Sequence, residues 1–446
     1  MTTDLRARIC LCLLLLACRA AWCQVDTTAN RPDSGSGDDA PMQAPPPVSG
    51  QPYPTEFAGD TEQNYWTGGF TVSSVYASNV TGGTKATGDM SYSFWPTIGL
   101  NKVTAQSQLL LSYSPGFTFY QRTSGYNQAD QNVSVNLQYR ISPHLTMSLQ
   151  DSLSKTANIF NQPNPLSASP VSGSAPSSSA VIAPFADQIH NSAAAQLNYQ
   201  VSATSMVGAS GTFATLYYPS PGQVSGLYDS RSLGGSVFYS RRFGEKYNLG
   251  ATYQYQQVLS SQSNLPGSQI QTQTVFAFLT IYLKPTLEVS ISGGPQHYSA
   301  AQQLFPPSTS WNPMLMVSVG WQGERTTLAA NYSRIISGGG GLNGAFQSNT
   351  FGASGNWRLS RNCSAGLAVN YANNKTLTPF FLFSNGGRTI AGTASAQYAL
   401  GEHTSLQFGY SWTNQRYKQI EAVASVPNVN RVFVSINYRF SRPLHR

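Results

Sequence analysis

The sequence predicts an all-β fold, an antiparallel up-and-down β-barrel of about 18 strands that crosses a membrane. Three observations carry this reading. Apolar residues recur with a period of two over most of the chain, the period of an extended strand with one apolar face. Aromatic residues recur at one height, beside a short turn. Short turns alternate with long polar connections.

Composition narrows the setting. Only 10% of the 446 residues are charged, against about 25% in an ordinary soluble domain. Ser, Thr, Gln, Asn, Gly and Tyr stand in their place. Apart from the N-terminal one, no apolar run is long enough to cross a bilayer as a helix.

The chain divides by composition. Residues 1–23 read as a signal peptide: Arg6 and Arg8 precede the run ICLCLLLLAC. Two processing routes fit, cleavage after Cys23 and lipidation at Cys18. Four of the five cysteines lie in this segment, so Cys363 is the only one that remains in the mature chain whichever route is taken, and there is no disulfide framework. Residues 24–63 carry seven acids and one base, with Pro, Gly and Ser and no periodicity. They read as an extended periplasmic leader, either simply solvated or contacting a periplasmic partner. Residues 64–446 carry 22 bases and 10 acids, a net of +12. Residues 64–440 are the expected barrel and 441–446 a periplasmic tail.

Along the barrel, four strands that run toward short turns show the alternation clearly. Val133, Val135, Leu137, Tyr139 and Ile141 oppose Ser134, Asn136, Gln138 and Arg140. Ala193, Ala195, Leu197, Tyr199 and Val201 oppose Gln196, Asn198 and Gln200. Phe351, Ala353, Gly355, Trp357 and Leu359 oppose Asn356 and Arg358, and Ile390 through Tyr398 oppose Ser395 and Gln397. The final strand repeats the pattern, with Val432, Val434, Ile436, Tyr438 and Phe440 against Phe433, Ser435, Asn437 and Arg439. A soluble sandwich alternates too, but scatters its aromatics. Here Tyr139, Tyr199, Tyr239, Trp321, Trp357, Tyr398 and Tyr438 share one height, as in a belt at a membrane–water boundary. Tyr253, Tyr255, Tyr371, Tyr410 and Trp412 suggest a second belt.

The short turns are SPH, ATS, GEK, KPT, GER, RNC and GEH. The long connections fall at about 159–188, 218–229, 260–269, 299–312, 338–346, 376–388 and 416–428. Short periplasmic turns and long extracellular loops are the rims expected of such a barrel. Closure leaves no unpaired strand edge in hydrocarbon.

With these features the chain resembles the outer-membrane β-barrel superfamily of Gram-negative bacteria, over about residues 64–440. The most specific piece is VFVSINYRF, similar to the C-terminal strand read by the barrel-assembly machinery. In most members the aromatic is the final residue, whereas six residues follow Phe440 here. The resemblance implies residence in the cell outer membrane, with lipid and the assembly machinery as partners.

If the belts face lipid, Asn136, Gln138, Gln196, Asn198, Gln200, Asn356, Gln397 and Asn437 line an uncharged, amide-rich lumen. Arg140, Arg358 and Arg439 would then ring the periplasmic mouth and favour anions, unless turn carbonyls or Glu245, Glu288 and Glu324 engage them. The segment 159–188 would be the third long loop, which in general porins folds inward. Its only acid is Asp187, and both an inward fold and a surface loop fit it.

No catalytic, metal or cofactor pattern stands out. Asp187, His190 and Ser192 lie close in sequence without a matching partner, and GGGG at 338–341 precedes no helix and reads as a loop tip. The basic charge is scattered, which gives no case for nucleic acid. The expected function is a porin-like passive channel for small polar solutes with mild anion preference, and not an enzyme. The alternatives are a barrel for exopolysaccharide export or assembly, and a closed barrel that displays surface loops.

Overall fold

The computed structural model describes residues 64–80, 86–157, 187–220, 227–262, 265–284, 286–302, 305–339, 341–377, 386–417 and 428–444. The signal segment, the acidic leader and nearly all of the 159–188 loop lie outside the described residues.

Eighteen strands follow one another: β1 (Tyr65–Ala77), β2 (Asp89–Val103), β3 (Ser107–Tyr120), β4 (Gln128–Arg140), β5 (Leu145–Thr156), β6 (Gln188–Ser202), β7 (Ser205–Tyr217), β8 (Asp229–Phe243) and β9 (Tyr247–Gln262). Then come β10 (Leu265–Lys284), β11 (Leu287–Gln302), β12 (Phe305–Gln322), β13 (Thr326–Gly339), β14 (Leu342–Arg358), β15 (Cys363–Thr376), β16 (Gly387–Ala399), β17 (Thr404–Tyr417) and β18 (Val429–Pro443). Each pairs antiparallel with its sequence neighbours, and β1 pairs with both β2 and β18, so the sheet closes on itself. At about 4.8 Å between strands and a tilt of about 40°, such a ring is roughly 35 Å across, backbone to backbone. β18 runs past Phe440 to Pro443, which pairs with Tyr65.

Inside and outside follow from contacts between strands that are not neighbours, which form only within a barrel. The side chain of Gln296 on β11 bonds the backbone of Ile336 on β13, and Ser268 on β10 bonds Gly344 beyond β14's first residues. Ser268 and Gln296 therefore face the lumen, and the registers carry that assignment round every strand.

The outward face is apolar and exposed, including Val72, Phe94, Leu197, Val237, Leu367 and Ile436. All seven residues of the expected belt fall on it. Tyr438 stacks on Phe70 with centroids 5.4 Å apart, and Phe440 lies 6.2 Å from Tyr438. The five residues of the second belt also face outward by register. One carboxylate interrupts this face. Asp151 accepts from Asn191 Nδ2 at 2.9 Å, a partial substitute for water in a band that carries no other described acid mid-strand.

The outer rim differs from the expected one in three places. The connections read at 260–269, 299–312 and 338–346 are instead strand hairpins that continue outward, leaving about two residues at each tip. The reason is physical. Beyond the hydrocarbon both faces of a strand are polar, so the alternation that marks a strand vanishes while the backbone ladder continues. The hairpin β9–β10 shows this in SSQSNLPGSQIQTQT.

The wall has one break. β12 pairs with β13 only from Gln322 to Leu315, whose partner is Arg334. Above that point β12 pairs with β11 alone, and β13 leaves with β14. Above the split β12 carries Pro306, Pro307 and Pro313, which have no N–H to donate and are tolerated in a strand with one unpaired edge.

Candidate functional site: the lumen and its inward hairpin

Above Arg334 the β13–β14 hairpin turns into the barrel. Gln296 Oε1 accepts from Ile336 N at 2.7 Å while its Nε2 donates to Ile336 O at 3.3 Å, so one amide side chain takes the place of a neighbouring strand. Tyr228 N donates to Gly341 O at 3.0 Å, and Gly344 N donates to Ser268 Oγ at 3.1 Å. Three separate elements, β10, β11 and the segment before β8, thus hold the hairpin by backbone groups.

Packing follows the same route. Ile336 (2% exposed), Ala345 (0%) and Phe346 (2%) are covered. Ile336 and Ala345 cluster with Val258, Ile270, Tyr298 and Ala300 from the interior faces of β9, β10 and β11, and Leu377 packs beside them. Lower down, Phe276, Phe278 and Met314 form a second interior cluster with Met316 and Ile335. Burying apolar groups here anchors the hairpin, at roughly 25 cal/mol per Å² removed from water.

Two glycines make the close approach possible. Gly341 has φ +86°, and a Cβ there would lie 2.7 Å from the Tyr218 hydroxyl and 3.3 Å from Leu227. A Cβ on Gly338 would collide with Ile270. Burial, with Asp229 nearby, pushes the Tyr218 phenol well above its ordinary pKa and keeps it protonated.

The rest of the lumen is different. By register Asn136, Gln138, Gln196, Asn198, Gln200, Asn356, Gln397 and Asn437 all lie on the inner face. Asn136 and Gln138 are exposed, as is Gln150 across from Asn136. Amides and hydroxyls bond one another along this wall: Gln196 Nε2 donates to Asn198 Oδ1 at 3.1 Å, Gln397 Nε2 to Ser405 Oγ at 3.1 Å, and Thr71 Oγ1 to Asn437 Oδ1 at 2.7 Å.

Arg140, Arg358 and Arg439 are inward, exposed, and sit on the last turn-ward positions of β4, β14 and near the end of β18. These strands are four apart round the ring, and Arg242 on β8 continues the spacing. They are spread round the mouth and not gathered in one patch. Arg242 donates to the Ala203 carbonyl at 3.4 Å, whereas Arg241 faces outward over the Phe243 ring, 5.3 Å from its centroid. Among the described residues no carboxylate lies within ion-pair distance of Arg140 or Arg358. Glu288 faces the lumen at the same rim.

His190 and Ser192 both face inward on β6, and His297 faces outward against Trp311, 4.9 Å between centroids. Among the described residues there is no cluster of His, Cys, Asp and Glu that would hold a metal ion.

An apolar, aromatic outer face on a closed ring cannot be stable in water, and its backbone leaves almost no unpaired edge. The chain is a closed 18-stranded transmembrane β-barrel. Some solved structures show a distant likeness to it in fold. OccK2 (OpdF) of Pseudomonas aeruginosa matches at 9% identity and a TM-score of 0.41, over 86% of this chain and 100% of that one. OccAB2 of Acinetobacter baumannii matches at 10% and 0.40, over 84% and 98%. The ferric-catecholate import receptor Fiu of E. coli K12 matches at 9% and 0.41, over 84% and 81%. No protein-family model and no curated relative matches the chain.

Proposed function

We propose that this outer-membrane barrel is a passive channel for small polar solutes, with a mild preference for anions, and that the β13–β14 hairpin sets its width. The observation that carries the reading is the asymmetry of the lumen. On the β4–β5 side Asn136, Gln138 and Gln150 are exposed toward the interior, as a water-filled path requires. On the β9–β11 side the hairpin covers the wall.

Uncharged amides exchange hydrogen bonds with water and with polar solutes at little net cost, so they pass such solutes without trapping them. Arg140, Arg242, Arg358 and Arg439 give the periplasmic mouth a positive potential, which raises the local concentration of anions. No step of covalent chemistry is needed.

Planar-bilayer recording in a salt gradient tests this. Purified protein is expected to give discrete current steps and a reversal potential on the anion side. The variant R140E/R358E/R439E is expected to move that potential to the cation side without abolishing the steps. Absence of steps would refute the open channel. An unmoved potential would refute the role given to the arginines.

A further inference from the structure

One hydrogen-bonded row on the outside of the barrel is chemically unlike the rest of that face. Arg334 pairs with Asn349, Asn349 with Asn373, Asn373 with Arg388, and Arg388 with Arg416. The row crosses five strands, β13 to β17, and holds three arginines and no acid. Lys375, further along β15, pairs with Gln347 on the arm that turns inward and stands apart from this row. Arg388 and Arg416 are exposed.

Two arginines directly opposite each other on adjacent strands repel, because their Cβ atoms are only about 5 Å apart. Such pairs are usually relieved by an acid between them. Among the described residues no carboxylate lies within ion-pair distance of Arg388 or Arg416. Arg334 differs: with the Gln347 amide turned to suit both its ends, Gln347 accepts from Arg334 Nε at 2.8 Å. Among the described residues the charge without a facing acid is thus concentrated on Arg388 and Arg416.

The neighbouring row, one repeat nearer the periplasm, is Tyr332, Phe351, Tyr371, Ile390 and Asn414, with Trp412 one repeat lower on β17. Below these lie Leu367, Val369 and Phe408, all exposed. The outer surface therefore changes from apolar to aromatic to cationic within a few residues, at the extracellular end of the hydrocarbon band. A molecule that matched it would carry acyl chains, then an anionic group at the level of the guanidinium groups. Arginine forks bind phosphate oxygens in pairs, and one phosphate has oxygens enough for two facing guanidinium groups.

We propose that Arg388 and Arg416 form a site on the outer wall for the phosphate of an anionic outer-leaflet lipid, whose acyl chains lie along Leu367, Val369 and Phe408. The lipid would neutralise the facing arginines and seat the barrel at a fixed depth.

Native mass spectrometry of the detergent-released full chain tests the proposal, with phosphatidylglycerol, phosphatidylcholine of the same acyl chains, and inorganic phosphate as probes. Phosphatidylglycerol is expected to be retained at least tenfold more tightly than phosphatidylcholine, and R388Q/R416Q to lose that advantage while keeping the mobility of a folded barrel in unheated gels. If R388Q/R416Q does not assemble, R388Q alone is read in the same way, with at least a threefold loss expected. Equal retention of the two lipids, or retention of phosphatidylglycerol by the variant as in the parent, would overturn the proposal. Displacement of phosphatidylglycerol by equimolar inorganic phosphate would assign the site to free phosphate and overturn the lipid reading.

Discussion

Removing the tip of the inward hairpin, residues 338–345, with a two-residue turn in its place, is expected to raise single-channel conductance about two- to threefold. The estimate rests on area. A ring roughly 35 Å across loses a large part of its free section to a two-stranded element lying inside it. Among its anchors are Tyr228, Ser268, the Leu377 N–H that donates to Ala345 O, and packing against Val258, Ile270 and Tyr298. The β-ladder between β13 and β14 continues below it through Phe351 and Tyr332, and β12 still pairs with β13 there, so the lower wall is unchanged. A milder form of the same experiment is Gln296→Leu. It strands the Ile336 N–H and C=O, at a cost of about 1–3 kcal/mol. Conductance is then expected to fluctuate between two levels as the hairpin leaves and returns. Unchanged conductance in the deletion would show that the hairpin does not limit the path.

The second large effect concerns the last strand. Ile436→Arg is expected to prevent assembly, whereas Asn437→Arg next to it is expected to be tolerated. Ile436 faces outward between Val72 and Leu406, and Asn437 faces the lumen beside Thr71. An arginine on the lipid side near mid-membrane costs about 2–4 kcal/mol, while one on the lumen side stays hydrated. Heat-dependent gel mobility reads the outcome. A folded Ile436→Arg barrel, or an equal failure of both variants, would contradict the assigned faces.

These tests follow the line between what the sequence discloses and what it hides. Val133–Ile141 and Val432–Phe440 could be read as strands because lipid stands on one side and water on the other, and that contrast writes a period of two into the residues. Their parity alone assigns the belt tyrosines outward and the lumen amides inward. The inward hairpin was less legible. The glycines at 338–341 read as a loop tip, and the resemblance to porins points instead to the third long loop, 159–188, as the one that could fold inward. A signal was nevertheless there. Ile335–Ile336 and Ala345–Phe346 are adjacent apolar pairs on the two arms of one hairpin, and Val275–Leu283 on β10 is apolar on both faces apart from Thr280. A strand with two apolar faces is covered on both, and in a barrel the second cover comes from within.

The outer row of arginines was hidden for another reason. Arg334, Arg388 and Arg416 are far apart in sequence, and only the register brings them into line. Charge scattered along a chain is not scattered on a sheet. The arginines of the periplasmic mouth, by contrast, share a repeat position that sequence alone reveals.

The orientation of the wall is the claim on which the rest stands, and neighbouring cysteines on β4 test it most directly. In a Cys363→Ser background, Val135→Cys and Asn136→Cys are reconstituted separately into lipid vesicles and treated with a charged, membrane-impermeant maleimide. Asn136→Cys is predicted to label rapidly and Val135→Cys to resist. Rapid labelling at position 135 with protection at 136 would contradict the account.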